Sequence, residues 1–257
     1  MNHKKIAVVI PARLAASRFP GKPLAKILDL PMVEHVRRRV LLSPVVDSVY
    51  VATCDREIKE TVERFGGKAL MTAATHERCT DRVEEAARGI EADIIVIVQG
   101  DEPLFFPEVI KNLIQPILSD SQVRCTNLLS LINDREDLKD VDIVKAVVGR
   151  DSNIMYFSRS PIPYFRNNIQ APCYRQTGIS AFTREFLSVY IGLTPTLLEE
   201  AESIDFLRII EQGYDIRAVV VDQATYGVDR EDDIRIIEGL IRKDPVQAAY
   251  YQRIIKL

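Results

Sequence analysis

The sequence has no strong excess of charge of either sign and no long hydrophobic run. Its 257 residues include 34 Lys and Arg against 37 Asp and Glu, which gives a formal net charge of -3. Because the chain lacks an overall basic field, we do not expect it to bind nucleic acid, and any site for a polyanion must be local. No apolar run reaches the ~18 residues typical of a membrane-spanning helix, so no membrane partner is expected either.

Cysteine is scarce, and no two cysteines form a CxxC pair. The four cysteines, Cys54, Cys79, Cys125 and Cys173, are scattered along the chain. The first residues, MNHKK, precede a short strand and lack the hydrophobic region and cleavage site of a secretory signal peptide. We therefore expect a cytoplasmic protein whose cysteines are free thiols.

Several common catalytic signatures are absent. The patterns GxxxxGK[ST] and GxGxxG do not occur, which argues against P-loop phosphoryl transfer and Rossmann dinucleotide binding. The three histidines, His3, His35 and His76, lack the spacing of a zinc site. No GxSxG elbow, Ser-His-Asp set or Cys-His set can be argued. The chemistry must therefore come from other residue types.

Short apolar runs alternate with helical patterns through the first half of the chain. The run DIIVIV at 93–98 is continuous, as is typical of the middle of a parallel sheet. This alternation predicts an α/β fold, a doubly wound sheet with helices on both faces. Strands are predicted at 6–10, 48–53, 68–71 and 93–98, and helices at 32–42, 56–65 and 80–89.

The second half is more mixed, but it contains no internal repeat or linker. We therefore expect a single domain over residues 1–257 with an inserted subregion, rather than two domains. Strands are predicted at 124–132, 143–148, 154–157, 174–182 and 216–221, and helices at 107–118, 197–212, 231–242 and after Pro245.

Polar clusters directly follow three predicted strands, where open parallel sheets bind ligands. QGDEP contains Asp101, and YGVDREDD contains Asp229. Two carboxylates at strand ends suit Mg²⁺, which prefers oxygen ligands and retains water and phosphate in its shell. Alternatively, Asp101 is a turn or capping residue, and Asp229 is the N-cap of a helix that begins near Glu231.

The third cluster is a basic loop, AVVIPARLAASRFPGKPL, whose apolar start stops at Pro11. Arg13, Arg18 and Lys22, with backbone N–H groups around residues 15–17, could neutralise a triphosphate. The alternative is an ordinary solvated loop.

The motifs together resemble those of a known family. IPARLAASRFPGKPL, VATCD, HERCTDR, VQGDEP, YFSRSPIPYFR and YGVDREDD occur in the order seen in the CMP-Kdo synthetases, or 3-deoxy-manno-octulosonate cytidylyltransferases. The resemblance covers nearly the whole chain. It implies the nucleotide-diphospho-sugar transferase fold, a three-layer α/β/α sandwich with a mixed, mainly parallel central sheet. It also implies a homodimer, with an acceptor-binding and dimerisation subregion at roughly 124–200.

The resemblance also implies a reaction and a set of site residues. In such enzymes the anomeric hydroxyl of the sugar acid attacks the α-phosphate of CTP, and pyrophosphate leaves. The residues expected to act in catalysis are Arg13, Lys22, Asp101 and Asp229, of which Asp101 and Asp229 would bind Mg²⁺. The residues expected to bind CTP are Ala12, Arg13, Lys22, Thr80 and Arg82, with Arg18 a weaker candidate, and Gln99 and Arg159 would face the sugar acid.

The departures from the family pattern fall mostly near the expected acceptor site. The family's KHLGIY reads RQTGIS, which places Gln176 and Ser180 where His and Tyr are usual, and LEQLR reads IDFLR, with Asp205 and Phe206. SGT reads RCT, with Cys79 in place of Gly, and ATD reads ATC, with Asp55 one position later.

These substitutions leave two alternatives beside transfer of CMP to Kdo or a related acidic sugar. One is a cytidylyltransferase for a different acidic acceptor, such as a modified 2-keto sugar acid, a nonulosonic acid or a phosphonate. The other is a non-catalytic nucleotide-binding protein.

Overall fold

The computed structural model describes residues 3–15, 18–167, 171–222 and 226–257, and the chain forms two compact units. Unit 1 comprises Met1–Lys111 and Thr225–Leu257, and unit 2 comprises Asn112–Ala224. The subregion predicted at roughly 124–200 falls within unit 2, and its role stays a prediction. No disulfide joins the four cysteines, all of which lie in the described residues.

Eleven strands and nine α-helices are formed by the described residues. The strands are β1 (Ile6–Ala12), β2 (Lys26–Ile27), β3 (Leu30–Pro31), β4 (Ser48–Thr53), β5 (Ala69–Met71), β6 (Ile94–Val98), β7 (Cys125–Leu131), β8 (Lys145–Val148), β9 (Ile154–Ser158), β10 (Tyr174–Thr183) and β11 (Arg217–Val221). The helices are α1 (Met32–Leu41), α2 (Arg56–Arg64), α3 (Cys79–Ala87), α4 (Val109–Ser119), α5 (Arg184–Ile191), α6 (Leu197–Glu202), α7 (Leu207–Glu211), α8 (Asp233–Lys243) and α9 (Pro245–Ile254).

Unit 1 is built on a parallel sheet with strand order β6-β1-β4-β5. Val9 of β1 lies opposite Ile97 of β6 on one side and Tyr50 of β4 on the other. Every residue of β1 and β6 is buried, as expected for strands in the middle of a parallel sheet. Helices α1 and α3 pack against β1 and β4, and β2 and β3 form a separate hairpin.

Strand β1 continues past the predicted stop at Pro11. Pro11 and Ala12 still pair with β4, opposite Ala52 and Thr53, whereas the ladder to β6 ends at Val9. Beyond Val9 the strand pairs with β4 but no longer with β6, and proline is tolerated there because no second ladder needs its missing N–H. The prediction that the strand ends at Ile10 was therefore wrong.

Unit 2 combines parallel and antiparallel pairs. Strand β7 pairs in parallel with β11 and antiparallel with β10, and β8 pairs antiparallel with β9 and β10. The ladder of β10 with β7 shifts register between Gln176 and Ser180. None of the helices in the described ranges has the length and hydrophobicity needed to cross a membrane.

The helix predicted at 197–212 is two helices, α6 and α7. The break lies at Ser203, which adopts a left-handed conformation with φ 55°. The backbone N–H groups of Ser203 and Ile204 both donate to the carbonyl of Glu199, which closes α6. Serine carries no strong signal for this conformation, so the apolar spacing on both sides suggested one continuous helix. Helix α5 was not predicted, although Thr183 caps it by accepting from the N–H of Phe186.

Helix α1 carries a fully buried histidine that we expect to make stability depend on pH. The Nε2–H of His35 donates to the Ile27 carbonyl at 2.7 Å, and the ring stacks on Tyr251. Burial, with Arg39 and Arg38 nearby, lowers the pKa of His35 to about 4, against opposing contributions from the Ile27 carbonyl and Glu238.

Because the pKa of His35 is lower in the folded state than the ordinary histidine value of 6.5, the unfolded chain binds the proton more tightly. The free energy of unfolding therefore carries no penalty from His35 above the pKa of that histidine in the unfolded chain. The penalty grows as the pH drops from there toward 4. We expect a loss of about 2 kcal/mol between pH 7 and pH 5. Urea unfolding at both pH values measures it, and His35→Phe should remove most of that difference. An equal loss in the variant would contradict the assignment.

Candidate active site

A pocket of about 290 Å³ in unit 1 lies where β1 and β6 end, as open parallel sheets predict. It brings together side chains from four separate parts of the chain: the loop after β1, the segment before α3 with its first turn, the loop after β6, and the loop before α8. The residues predicted from sequence that line it are Ala12, Arg13, Arg18, Lys22, Arg82, Gln99, Asp101 and Asp229.

The basic loop is held at both ends by backbone hydrogen bonds. The N–H of Leu14 donates to a carboxylate oxygen of Asp55 at 2.7 Å, so this residue, which lies between β4 and α2, fixes the start of the loop. The N–H of Gly21 donates to the Leu14 carbonyl at 3.0 Å. Gly21 has φ 74°, which favours glycine at this turn. Of the backbone groups predicted to bind phosphate, those of Ala16 and Ser17 lie outside the described residues.

The two aspartates are brought together by main-chain contacts. Gly100 lies so close to β1 that a Cβ there would stand 3.0 Å from the Pro11 carbonyl oxygen, which explains glycine before Asp101. The Asp101 carbonyl accepts from the N–H of Val228 at 2.9 Å, and Asp229 is the next residue. Asp101 and Asp229 therefore enter the same pocket from two loops that are bonded to each other.

Both carboxylates pair with cations of the basic loop. Lys22 Nζ lies 2.6 Å from Asp101 Oδ2 and also donates to the Val228 carbonyl at 2.8 Å. Arg18 Nη2 lies 3.2 Å from Asp229 Oδ1. Lys22 is only 15% exposed, so the alternative of a solvated loop does not describe it, whereas Arg13 is exposed at the pocket.

The alternative that Asp229 caps the last helix but one is wrong. Helix α8 begins at Asp233, and its N-cap is Asp232. The carboxylate of Asp233 instead accepts from the backbone N–H groups of Asp229 and Arg230, both at 2.8 Å. This arrangement fixes the backbone of Asp229 while its side chain pairs with Arg18.

Side chains of α3 hold the segment that forms another wall of the pocket. Arg82 is buried and donates to the Thr72 hydroxyl and the Ala73 carbonyl. Glu85 accepts from the Ala73 N–H at 3.0 Å and pairs with His76. The Ala73 and His76 hydrogen bonds lower the pKa of the Glu85 carboxyl. Arg82 thus lines the pocket and fixes the backbone before α3.

The structure also adds pocket residues to which the sequence assigned no substrate contact. His76, Glu77, Arg78 and Cys79 line the pocket, and all four belong to the HERCTDR motif. The Gln99 side-chain amide donates to Cys79 Sγ at 2.9 Å. Their position directly before the predicted helix was the available signal, because helix starts present N–H groups to anions.

Thr80 is predicted to bind CTP, but the structure does not bring it to the pocket. It is fully buried in the first turn of α3 and is absent from the pocket lining, whereas the preceding Cys79 is part of it. Its expected contact with the base or ribose stays a prediction.

The remaining predicted acceptor residues lie in unit 2. Ser180 and Phe206 are buried, and Phe206 packs against Phe157 and Phe182 at ring-centroid distances of 6.2 and 5.8 Å. Gln176 is half-buried on β10, with its N–H bonded to the Val144 carbonyl.

Arg159 and Asp205, also in unit 2, have local partners there. The guanidinium of Arg159 donates to the carbonyls of Glu202 and Val141, both at 2.8 Å. Asp205 is half-buried. The burial of Cys125, together with the charge of Asp205, raises the pKa of the Cys125 thiol. The acceptor roles assigned to both residues stay predictions.

Comparison with known proteins agrees with the fold and the site. A family model described as cytidylyltransferase matches residues 7–216. A 3-deoxy-manno-octulosonate cytidylyltransferase of Geobacter metallireducens is 42% identical over 250 residues, covering 93% of this chain and 98% of the relative. The protein of the same name from Pelobacter propionicus is 43% identical over 240 residues, covering 89% of this chain and 94% of the relative.

Solved structures agree at the level of the fold. A CMP:2-keto-3-deoxy-manno-octonic acid synthetase complexed with CTP has a TM-score of 0.88 at 39% identity, covering 93% of this chain and 99% of that one. A cytidylyltransferase of Leptospira borgpetersenii has a TM-score of 0.65 at 16% identity, covering 99% of this chain and 93% of that one, and shares the fold. The predicted nucleotide-diphospho-sugar transferase fold, α/β with a mixed, mainly parallel sheet, is confirmed. The chain is an enzyme of the CTP-dependent cytidylyltransferase family and belongs to its 3-deoxy-manno-octulosonate cytidylyltransferases.

Proposed function

We propose that the enzyme transfers CMP from CTP to Kdo or a closely related acidic sugar, with Mg²⁺, and releases pyrophosphate. One observation carries the proposal: Asp101 and Asp229 share a single pocket with Arg13 and Lys22. A carboxylate pair beside basic side chains is the composition that a metal-bound triphosphate requires.

The donor set fits a metal ion that is completed by the nucleotide. Within the described ranges, no group of three His, Cys, Asp or Glu side chains could hold a metal by itself. Mg²⁺ is commonly bound through one or two carboxylates together with substrate phosphates and water. Asp101 and Asp229 would hold the ion, and the ion would neutralise charge that develops on the phosphates.

The side chains of the pocket would act mainly by positioning and charge stabilisation. Arg13 and Lys22 would bind the phosphates of CTP, and the backbone of Ala12 would approach the cytosine. Gly100 lines the same pocket beside Asp101 and packs closely on β1. Holding the α-phosphate in line with the acceptor hydroxyl and with the departing pyrophosphate supplies, together with charge stabilisation, most of the rate enhancement in such transfers.

Kdo is favoured as acceptor because two relatives above 40% identity are named for it. We propose that Gln99, Arg159, Gln176, Ser180, Asp205 and Phe206 contribute to the acceptor site. The aromatic packing of Phe206 favours the second candidate, a different acidic acceptor, because a phenyl ring in a core offers no hydrogen bond to a sugar hydroxyl. The loss of such a hydrogen bond changes the difference in transition-state binding free energy between two acceptors by several kcal/mol at most.

A pyrophosphate-release assay across acceptors tests the proposal. Purified enzyme with CTP and Mg²⁺ would be given Kdo, 8-amino-Kdo, sialic-type acids and phosphonates. We expect Kdo to give the highest kcat/KM. A higher kcat/KM with another acid would establish the second candidate, and no pyrophosphate with any acid would leave only a non-catalytic nucleotide-binding role.

We also propose a homodimer. Unit 2 exposes large apolar side chains that a second copy of the chain would cover in a dimer: Val141, Met155, Tyr164 and Leu197, each more than 60% exposed. Sedimentation equilibrium measures the state, and a monomer at micromolar concentration would refute it.

A further inference from the structure

Each proposed metal-binding carboxylate already has a positive partner from the basic loop. Lys22 contacts Asp101 at 2.6 Å, and Arg18 contacts Asp229 at 3.2 Å. The same loop supplies the cations that would bind the triphosphate. The cations of the loop therefore have two alternative sets of partners, the carboxylates of the protein and the phosphates of the nucleotide.

We propose that Lys22 and Arg18 occupy the metal-binding carboxylates before substrate binds and move to the phosphates when CTP arrives. The loop cations then suppress binding of a divalent cation to the free enzyme, and metal and nucleotide bind with positive coupling. This inference rests on the proposed function, because it takes Asp101 and Asp229 as the metal ligands.

A metal ion without nucleotide would have to displace these cations without compensation. An ammonium group 2.6 Å from an oxygen of Asp101 occupies the position that a divalent ion needs and repels it. The described residues supply no third His, Cys, Asp or Glu ligand that could offset the lost ion pairs. The free enzyme should therefore bind the metal weakly.

The nucleotide changes this balance because its phosphates accept the displaced cations. Lys22 also donates to the Val228 carbonyl, which keeps the ammonium group beside the pocket when it leaves Asp101. Its flexible stem allows a short movement, while Asp55 and Gly21 hold the loop backbone in place. Phosphate oxygens would simultaneously complete the coordination of the metal.

Binding of Mn²⁺, measured by electron paramagnetic resonance of the free ion, tests the exchange without relying on activity. The full chain without nucleotide would be titrated as wild type and as Lys22→Met, with Lys26→Met as a control that removes one exposed lysine outside the pocket. We expect Lys22→Met to bind Mn²⁺ about fivefold more tightly or better, in the range of typical coupling between sites. Lys26→Met should match wild type.

Arg18→Gln gives an independent second variant, because Arg18 is half-exposed and its loss should not affect folding. It should also bind Mn²⁺ more tightly than wild type. If Lys22→Met and Arg18→Gln both match the Lys26→Met control, the exchange is refuted. Adding CTP separates the proposed metal site from the proposed exchange, with CTP and Mn²⁺ without enzyme as the blank because CTP itself binds Mn²⁺. If wild type with CTP removes no more free Mn²⁺ than the blank, the proposed metal site fails as well, whereas binding well above the blank leaves it standing.

Discussion

Replacing Asp101 by asparagine should reduce kcat by on the order of a thousandfold while the protein stays folded. The neutral amide retains the shape of the side chain but binds a divalent cation much less well than a carboxylate. Pyrophosphate release from CTP with the best acceptor measures the effect. The ion pair with Lys22 is partly exposed, so its loss should lower the free energy of unfolding by at most about 1 kcal/mol.

Asp229 provides a second test of the metal assignment, and the nearby Asp232 provides the control. Asp229→Asn should cause a loss of similar size, because Asp229 lines the pocket opposite Arg18. Asp232→Asn removes one carboxylate three residues later, at an exposed N-cap whose side chain makes no capping hydrogen bond, and should retain activity. Activity of Asp101→Asn close to that of Asp232→Asn would contradict the metal assignment.

The main elements of the site could be predicted because sheet topology constrains where strand ends meet. Asp101 follows β6 at the carboxyl edge of the parallel sheet of unit 1, where open sheets bind ligands. Asp229 precedes α8 and reaches the same pocket through the hydrogen bond from the Val228 N–H to the Asp101 carbonyl. The pairing of Lys22 with Asp101 could not be foreseen, because the two residues are 79 positions apart and the contact depends on the fold of the basic loop. The contact of Cys79 with Gln99 could not be foreseen either, because it joins the start of α3 to the loop after β6.

The fold was predicted best where local signals were strong and worst where a polar residue takes an unusual conformation. Strand β4 was predicted residue for residue, because its apolar run is bounded by turn residues. At Ser203 the left-handed conformation arises from tertiary packing: Ile204 and Phe206 are buried on the far side of the break, and that burial outweighs the helical propensity of the segment.

The break at Ser203 is held by a buried ion pair, and we expect its disruption to have the largest effect on stability. Arg208 of α7 donates to Glu199 of α6 through two hydrogen bonds, at 2.7 and 2.6 Å. Both side chains are almost fully buried, at 6% and 1% exposure, and the guanidinium lies over the Tyr190 ring. The pair joins the two helices that flank Asp205 and Phe206.

Glu199→Gln should lower the free energy of unfolding by about 3–5 kcal/mol, because it leaves a buried guanidinium without a counter-charge. Urea unfolding measures the loss, and Glu200→Gln, an exposed change on the same helix, should stay within about 0.5 kcal/mol of wild type. The double variant Glu199→Leu with Arg208→Met should recover much of the loss, because it removes both charges together. A double variant no more stable than Glu199→Gln would show that the hydrogen bonds of the pair, rather than an uncompensated charge, determine the stability of this segment.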